Sequence, residues 1–424
     1  MNRLQQIEQE VLAAGREWTR ALLEKRLQEE CLRVEMVSAK TGEELENTRW
    51  RSMGLDTVVG KVNLKVHHGH GPEEGWVCPT RQAWDLKPYE RKTPELRARL
   101  AYTATVVGSY AEAEKLATIW GTPVSDTSIH QCVQELGHQA QTLALPTPVP
   151  APSEPTFDLV LMMDGWLTRE RGPDWSAGPR KKNPERVEWK EIKSAVIYRL
   201  EQRAENASGR GLLLEKYVVA APPDTSPLNF GQAVRDEAMR RGLARAKTVY
   251  LVMDGAVWLW DLADDRFKTA VKTLDFHHAR EHLNTIAEAL YGAGTQRAKD
   301  WLAEQVKSLR HGDEALVVNR LEDLLKSQAQ AKRPTKIRKT ITREVKYFRA
   351  HKEHIHYEDR ENEGAPLGSG AVESLGKQLQ RRMRGCGQFW KRPGLSNLLK
   401  LSVLAKNAEL HLLWSSSPTI AFSA

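Results

Sequence analysis

The chain has 424 residues, 40% of them hydrophobic and 28% charged, with 63 Lys and Arg against 55 Asp and Glu for a formal charge of +8. That length calls for two or three units with cores of their own, and with no run of roughly 20 apolar residues a membrane span is excluded. Met1-Asn-Arg-Leu-Gln-Gln-Ile-Glu8 lacks the apolar core of a secretory leader, and Cys31, Cys78, Cys132 and Cys386 lie far apart with no CxxC pair, so no disulfide framework is expected and a reduced cytoplasmic protein is.

Residues 1–47 read as a helical region, with Leu4, Ile7, Val11, Ala14, Trp18 and Ala21 alternating three and four apart up to about residue 35. The stripe suits a dimerisation seam or a face packed on its own domain. Residues 48–96 look like a small strand-rich region, in which Thr57–Val66 forms one run with Gly60 marking a turn or bulge. His67, His68, His70 and Cys78 crowd together, but not at the regular spacing of four zinc ligands, so zinc is not expected there.

Residues 97–145 carry a helix-turn-helix pattern. Ser109 and Glu112 have the capping-box form, Gly121-Thr-Pro-Val124 supplies a turn, and Ser125 caps a second helix with Val124 and Ile129 as its hydrophobic staple. Thr127, Ser128, His130 and Gln131 then form a polar face that fits the major groove of DNA. Residues 146–156, with Pro146, Pro148, Pro150, Pro152 and Pro155, read as an extended linker.

Strand-like runs follow at 157–163, 188–199, 212–220, 248–253 and 270–275, with helices at about 230–244 and from Val257. This order describes a mixed α/β sheet over residues 157–283. A polar helical block at 284–362 reads as an inserted all-α subdomain, because it is longer than a strand-to-helix return requires. The chain then returns to the sheet domain at 363–414 and ends in a tail at 415–424.

Within this frame, Asp164-Gly165 closes the apolar run from Leu159, and Asp254-Gly255 closes that from Val249. Each places a carboxylate at the end of a buried strand. Glu373 follows a Gly-rich turn and opens a helix carrying Lys377, Arg381, Arg382 and Arg384. No acidic residue occurs between Lys377 and Lys406, and Glu344 is the only one between Ala331 and Lys352. Two such basic runs beside Glu373 point to phosphate contact. Three carboxylates converging from two strands and a helix suit a pair of Mg²⁺ or Mn²⁺ ions, which prefer hard oxygen ligands and support two-metal phosphodiester chemistry.

The strings around Asp164, Val252-Met-Asp254-Gly-Ala-Val-Trp-Leu-Trp-Asp-Leu262, Leu274-Asp-Phe-His-His278 and Gly368-Ser-Gly-Ala-Val-Glu373-Ser together resemble bacterial insertion-sequence transposases of the ISKra group, which are similar to Mutator-type enzymes. The resemblance implies a ribonuclease-H-like core interrupted by an all-α insertion. It implies Asp164, Asp254 and Glu373 as the catalytic, metal-holding triad, and Asp275 with His278 as a supporting pair. Double-stranded DNA, both transposon ends and target, is the implied partner, bound by a homo-oligomer at the nucleoid. The competing readings are a ribonuclease-H-like nuclease without strand transfer and a domesticated DNA-binding protein without catalysis.

Overall fold

The computed structural model describes residues 2–146, 156–178, 181–182, 184–207, 211–330 and 334–414. Most of the Pro-rich linker and the 415–424 tail lie outside the described residues. The chain divides into two compact units, one of residues 1–143 with 409–424 and the other of residues 144–408. Residues 409–414 thus group with the N-terminal unit, not with the sheet domain to which the sequence assigned them.

The N-terminal unit opens with α1 (Arg3–Arg33), capped by the Asn2 side chain, which accepts a hydrogen bond from Gln5 N. Leu4, Ile7, Val11 and Trp18 of its stripe are exposed, and its apolar packing comes from the C-terminal half, through Leu27 and Cys31. Strands β1 (Glu46–Thr57), β2 (Gly60–Gly71) and β3 (Gly75–Val77) make an antiparallel sheet. Gly60, at φ +113°, sits at the hairpin turn where Thr57 pairs with it, so the apolar run 57–66 is a turn plus one strand. The Gln28 amide donates to Lys65 O and accepts from Lys65 N, and Glu24 accepts from Asn63 N. Helix side chains thereby satisfy backbone groups of β2 that no strand pairs.

After the short α2 (Pro79–Ala83), helices α3 (Pro94–Val106), α4 (Tyr110–Ile119) and α5 (Asp126–Gln141) complete this unit. Ser109 accepts from Glu112 N and Ser125 from Ser128 N, while the Glu112 carboxylate reaches Gly108 N. Gly121 takes φ +83° in the turn, and Ile129, Val133 and Leu136 are buried.

The second unit contains β4 (Asp158–Arg171), β5 (Val187–Arg199), the small ladder of β6 (Arg203–Glu205) with β7 (Gly211–Leu213), and β8 (Tyr217–Ala221). Then come α6 (Pro227–Arg240), β9 (Thr248–Met253), α7 (Val257–Arg266), β10 (Val271–Leu274) and α8 (Phe276–Tyr291). Helices α9 (Gln296–Arg310), α10 (Glu314–Gln330), α11 (Thr335–Ala350) and α12 (Tyr357–Asn362) lead to α13 (Gly370–Met383) and α14 (Arg392–Lys406). A boundary at 283/284 would cut α8, which runs unbroken from the sheet into the helical block.

The five-stranded sheet has the order β10-β9-β4-β5-β8. Strands β4, β5 and β8 pair antiparallel, as short connections allow, and β9 and β10 add in parallel through helical crossovers. Leu159, Leu161 and Met163 of β4 join Phe230, Val234, Leu259 and Leu262 of α6 and α7 in one buried cluster. Alternate β4 residues face the other way. On that side Trp166 lies beside Gly376, and the Thr168 hydroxyl donates to Met383 O, so α13 covers this face. Among the described residues no helix is long and apolar enough to cross a membrane.

Candidate active site

Strand β4 does not end at Asp164. It continues to Arg171, with Asp164 opposite Ser194 of β5 and Gly165 opposite Lys193. The sequence expectation of a strand end there is corrected: the polar stretch after Gly165 is strand because β5 pairs with all of it. What ends at this level is the parallel ladder to β9, whose last pair is Met163 with Met253. Asp164, the next residue of β4, and Asp254, the first residue after β9, therefore follow the last pair of the parallel ladder. Met163 belongs to the α6/α7 core, so alternation along β4 turns Asp164 toward the α13 face, while Asp254 is the first residue beyond β9.

Glu373 lies in the first turn of α13. Burial first, then the charge of Asp254 and, more weakly, that of Glu373 push the Asp164 carboxyl up from 3.8 to about 6, against the opposing pull of Gly165 N and His278. Gly165 N donates to Asp164 Oδ1 at 2.7 Å, and Ala256 N donates to Asp254 Oδ1 at 2.9 Å. Glu373 carries an exposed ion pair with Lys377 at 3.4 Å. Among the described residues no group of three or more His, Cys, Asp or Glu side chains is placed so as to hold a metal ion. Asp164, Asp254 and Glu373 offer hard oxygen, the ligand type that Mg²⁺ and Mn²⁺ prefer, and a nearby cation would favour the charged form of the raised Asp164 carboxyl.

Asp275 is fully buried and works as a clasp. Its Oδ1 accepts from His277 N and His278 N, capping α8, and its Oδ2 accepts from Ser369 N at the N-cap position of α13. Phe276 N donates to Leu367 O at 2.9 Å alongside. Gly368 passes so close that a Cβ there would lie 3.0 Å from the His277 ring. Asp275 therefore holds the backbone of His278 and not its imidazole. The His278 Nδ1 instead lies 3.8 Å from Glu281.

Tyr347 of α11 is a neighbour that the sequence did not single out. A Cβ on Gly255 would fall 2.1–2.6 Å from its ring and hydroxyl, so Gly255 is required by contact. The ring stacks on His282 at 3.7 Å between centroids, and His282 Nδ1 pairs with the buried Glu344. Burial, followed by the charges of Asp254, Asp275 and Glu344, raises the phenol well above its ordinary range. The only sequence signal was the Gly after Asp254.

The basic helix divides. Lys377, Arg381 and Arg384 are exposed, but Arg382 is 3% exposed, with its guanidinium 5.5 Å from the Trp390 ring. Arg382 is corrected from a DNA contact to a packed residue, since Val372, Leu375, Leu379 and Met383 bring its side of α13 inward. In the N-terminal unit, Thr127, His130 and Gln131 are exposed and Ser128 partly so. His67 and His68 are consecutive on β2 and point to opposite faces, His67 packing on Trp50 at a 40° tilt, while Cys78 is buried near Cys31; the four do not converge.

Residues 236–412 match an uncharacterised protein family, UPF0236. The match includes Asp254, Asp275, His278 and Glu373 and begins after Asp164. No curated protein matches the chain. Among solved structures, the chain is similar to the Drosophila P element transposase strand transfer complex at 11% identity and a TM-score of 0.36, over 74% of this chain and 92% of that one.

Proposed function

We propose that the protein is a DDE-type DNA transposase in which Asp164, Asp254 and Glu373 hold two Mg²⁺ or Mn²⁺ ions. The observation that supports this reading best is the placement of Asp164 beside Asp254 at the end of the parallel β4/β9 ladder, where burial first and then the charge of Asp254, with a smaller contribution from Glu373, raise the Asp164 carboxyl to about 6. The order of antiparallel β8, β5 and β4 followed by parallel β9 and β10 supports a ribonuclease-H-like sheet, with α9–α12 inserted before the helix of the glutamate.

When bound, such a metal pair lowers the pKa of an attacking water or DNA 3′-hydroxyl and stabilises the leaving 3′ oxygen. The chain's own residues do the rest. Asp275 fixes where α13 begins and thereby where Glu373 stands, and Tyr347 holds the Asp254-Gly255 turn from above. Lys377, Arg381 and Arg384 face solvent one to three turns beyond Glu373, where a phosphate backbone entering the site meets them. The α4–α5 pair acts as a helix-turn-helix that recognises transposon ends through Thr127, Ser128, His130 and Gln131. The exposed stripe of α1 supports self-association on DNA.

The test is cleavage and joining of duplexes carrying the DNA that flanks the gene, with Mg²⁺. Asp254→Asn and Glu373→Gln should fold and bind these ends, yet neither cleave nor join. Cleavage without joined products in the wild type would make it a nuclease, and end binding without cleavage a DNA-binding protein.

A further inference from the structure

Residues Lys87–Glu90 form a tight turn, closed by Glu90 N donating to Lys87 O at 3.0 Å. Pro88 and Tyr89 are its central residues, and Tyr89 adopts φ +64°. That left-handed position normally falls to Gly or Asn, because a Cβ is strained there. Tyr89 is also 95% exposed, so no packing of its ring offsets the strain.

The strained turn is held from beneath. The Arg81 guanidinium donates to the carbonyls of both Lys87 and Glu90, and Lys87 N donates to the Glu90 carboxylate. That carboxylate is paired with Arg97, both side chains being nearly buried at 14% and 11% exposure. Strain that the surroundings maintain around an outward-facing side chain is characteristic of a contact site.

The turn forms one wall of a cleft of about 400 Å³ whose opposite wall is α5, through Ser128, Gln131, Cys132 and Glu135. Arg91 and Lys92 continue the first wall, and with Lys87 they make no ion pair among the described residues. Asp56, Glu90 and Glu135 also line the cleft, Arg97 bridging the two glutamates at 3.6 Å from Glu135, so its four cations outnumber its three carboxylates by one. An aromatic ring beside unpaired cations, facing the polar side of a capped helix, is chemistry suited to a nucleic acid.

We infer that the Lys87–Lys92 segment and α5 form one duplex-DNA clamp, in which Arg91 and Lys92 bind phosphates and Tyr89 presses its ring into the groove beside the one that α5 enters. The inference rests on the proposed role of α5 in end binding and adds a second contact that fixes how α5 is aligned. A ring inserted at a groove edge favours steps that unstack easily, so Tyr89 would contribute selectivity where no base-edge hydrogen bond is made.

The experiment measures affinity of the full chain for fluorescent duplexes of about 30 bp, roughly three helical turns, taken from the DNA flanking the gene, and for unrelated duplexes. Tyr89→Gly relieves the strained φ and should melt no lower than wild type, while its affinity for the flanking duplexes falls about tenfold, the scale of one lost aromatic contact. Tyr89→Phe should retain affinity, and Arg91→Ala/Lys92→Ala should flatten the salt dependence by about two phosphate contacts. Undiminished binding by Tyr89→Gly, beside a loss in Ser128→Ala/Gln131→Ala, overturns the clamp and leaves α5 as the reader. Full binding in both variants, or none in wild type, overturns the clamp together with the role of α5.

Discussion

Replacing Asp164 with Asn should make the metal-free protein more stable at neutral pH, the reverse of what a buried structural aspartate would show. The Asp164 carboxyl is raised from 3.8 to about 6, chiefly by burial and then by Asp254. Between about pH 4 and 6 the folded state therefore keeps a proton that the unfolded chain has released, so stability falls as pH rises through this window and levels off above it. A rise from 3.8 to about 6 corresponds to about 3 kcal/mol at about 1.4 kcal/mol per tenfold, and partial exposure reduces this to about 1–3 kcal/mol. Asn retains the oxygen that accepts from Gly165 N and removes the charge. Urea melts in chelator at pH 4.5 and 7.5 should show the wild type losing stability between these values and Asp164→Asn losing less. Mg²⁺ at a hundredfold over its dissociation constant should add about 2.7 kcal/mol to the wild type and clearly less to the variant. If Asp164→Asn is the less stable protein at pH 7.5 without metal, the account of a carboxyl raised by burial and by Asp254 is wrong.

Asp275→Ala leaves three backbone N–H groups without their acceptor in a buried site and should cost roughly 3–5 kcal/mol in chemical denaturation; a loss under about 1 kcal/mol would show that the clasp is dispensable. Gly255→Ala should abolish cleavage through its collision with Tyr347, and Gly255→Ala/Tyr347→Ala should recover part of it. No recovery in the double variant would mean that the contact is not the reason for the glycine. Arg381→Ala/Arg384→Ala should reduce the salt slope of DNA binding without changing the melting temperature, whereas Arg382→Ala should lower the melting temperature. The reverse pattern in melting curves and binding isotherms would contradict the division of this helix.

Local chemistry was legible in the sequence wherever a side chain acts on its own neighbours. The caps at Ser109 and Ser125, the turn at Gly121 and the strand Thr248–Met253 all follow from contacts within a few residues. Asp164 was misplaced because its strand continues through Gly165-Trp-Leu-Thr-Arg-Glu-Arg171, whose partners at 187–193 are distant in sequence. Arg382 was misread from its charge, although the spacing of Val372, Leu375, Leu379 and Met383 already indicated an inward-facing side. Asp275 showed the opposite difficulty: its cap on α8 was foreseeable, but its bond to Ser369 spans 94 positions and no local pattern encodes it.

Helices α13 and α14 also determine which shortened chains can persist. A polypeptide that stops before Gly370 still contains both aspartates and every strand of the five-stranded sheet. It lacks the cover for Val160, Met162, Val196 and Val218, which are buried in the intact protein on the face opposite α6 and α7. An apolar sheet face left open in this way associates with other chains. Premature termination in this gene should therefore yield insoluble or degraded protein, not a soluble competitor that occupies the same DNA.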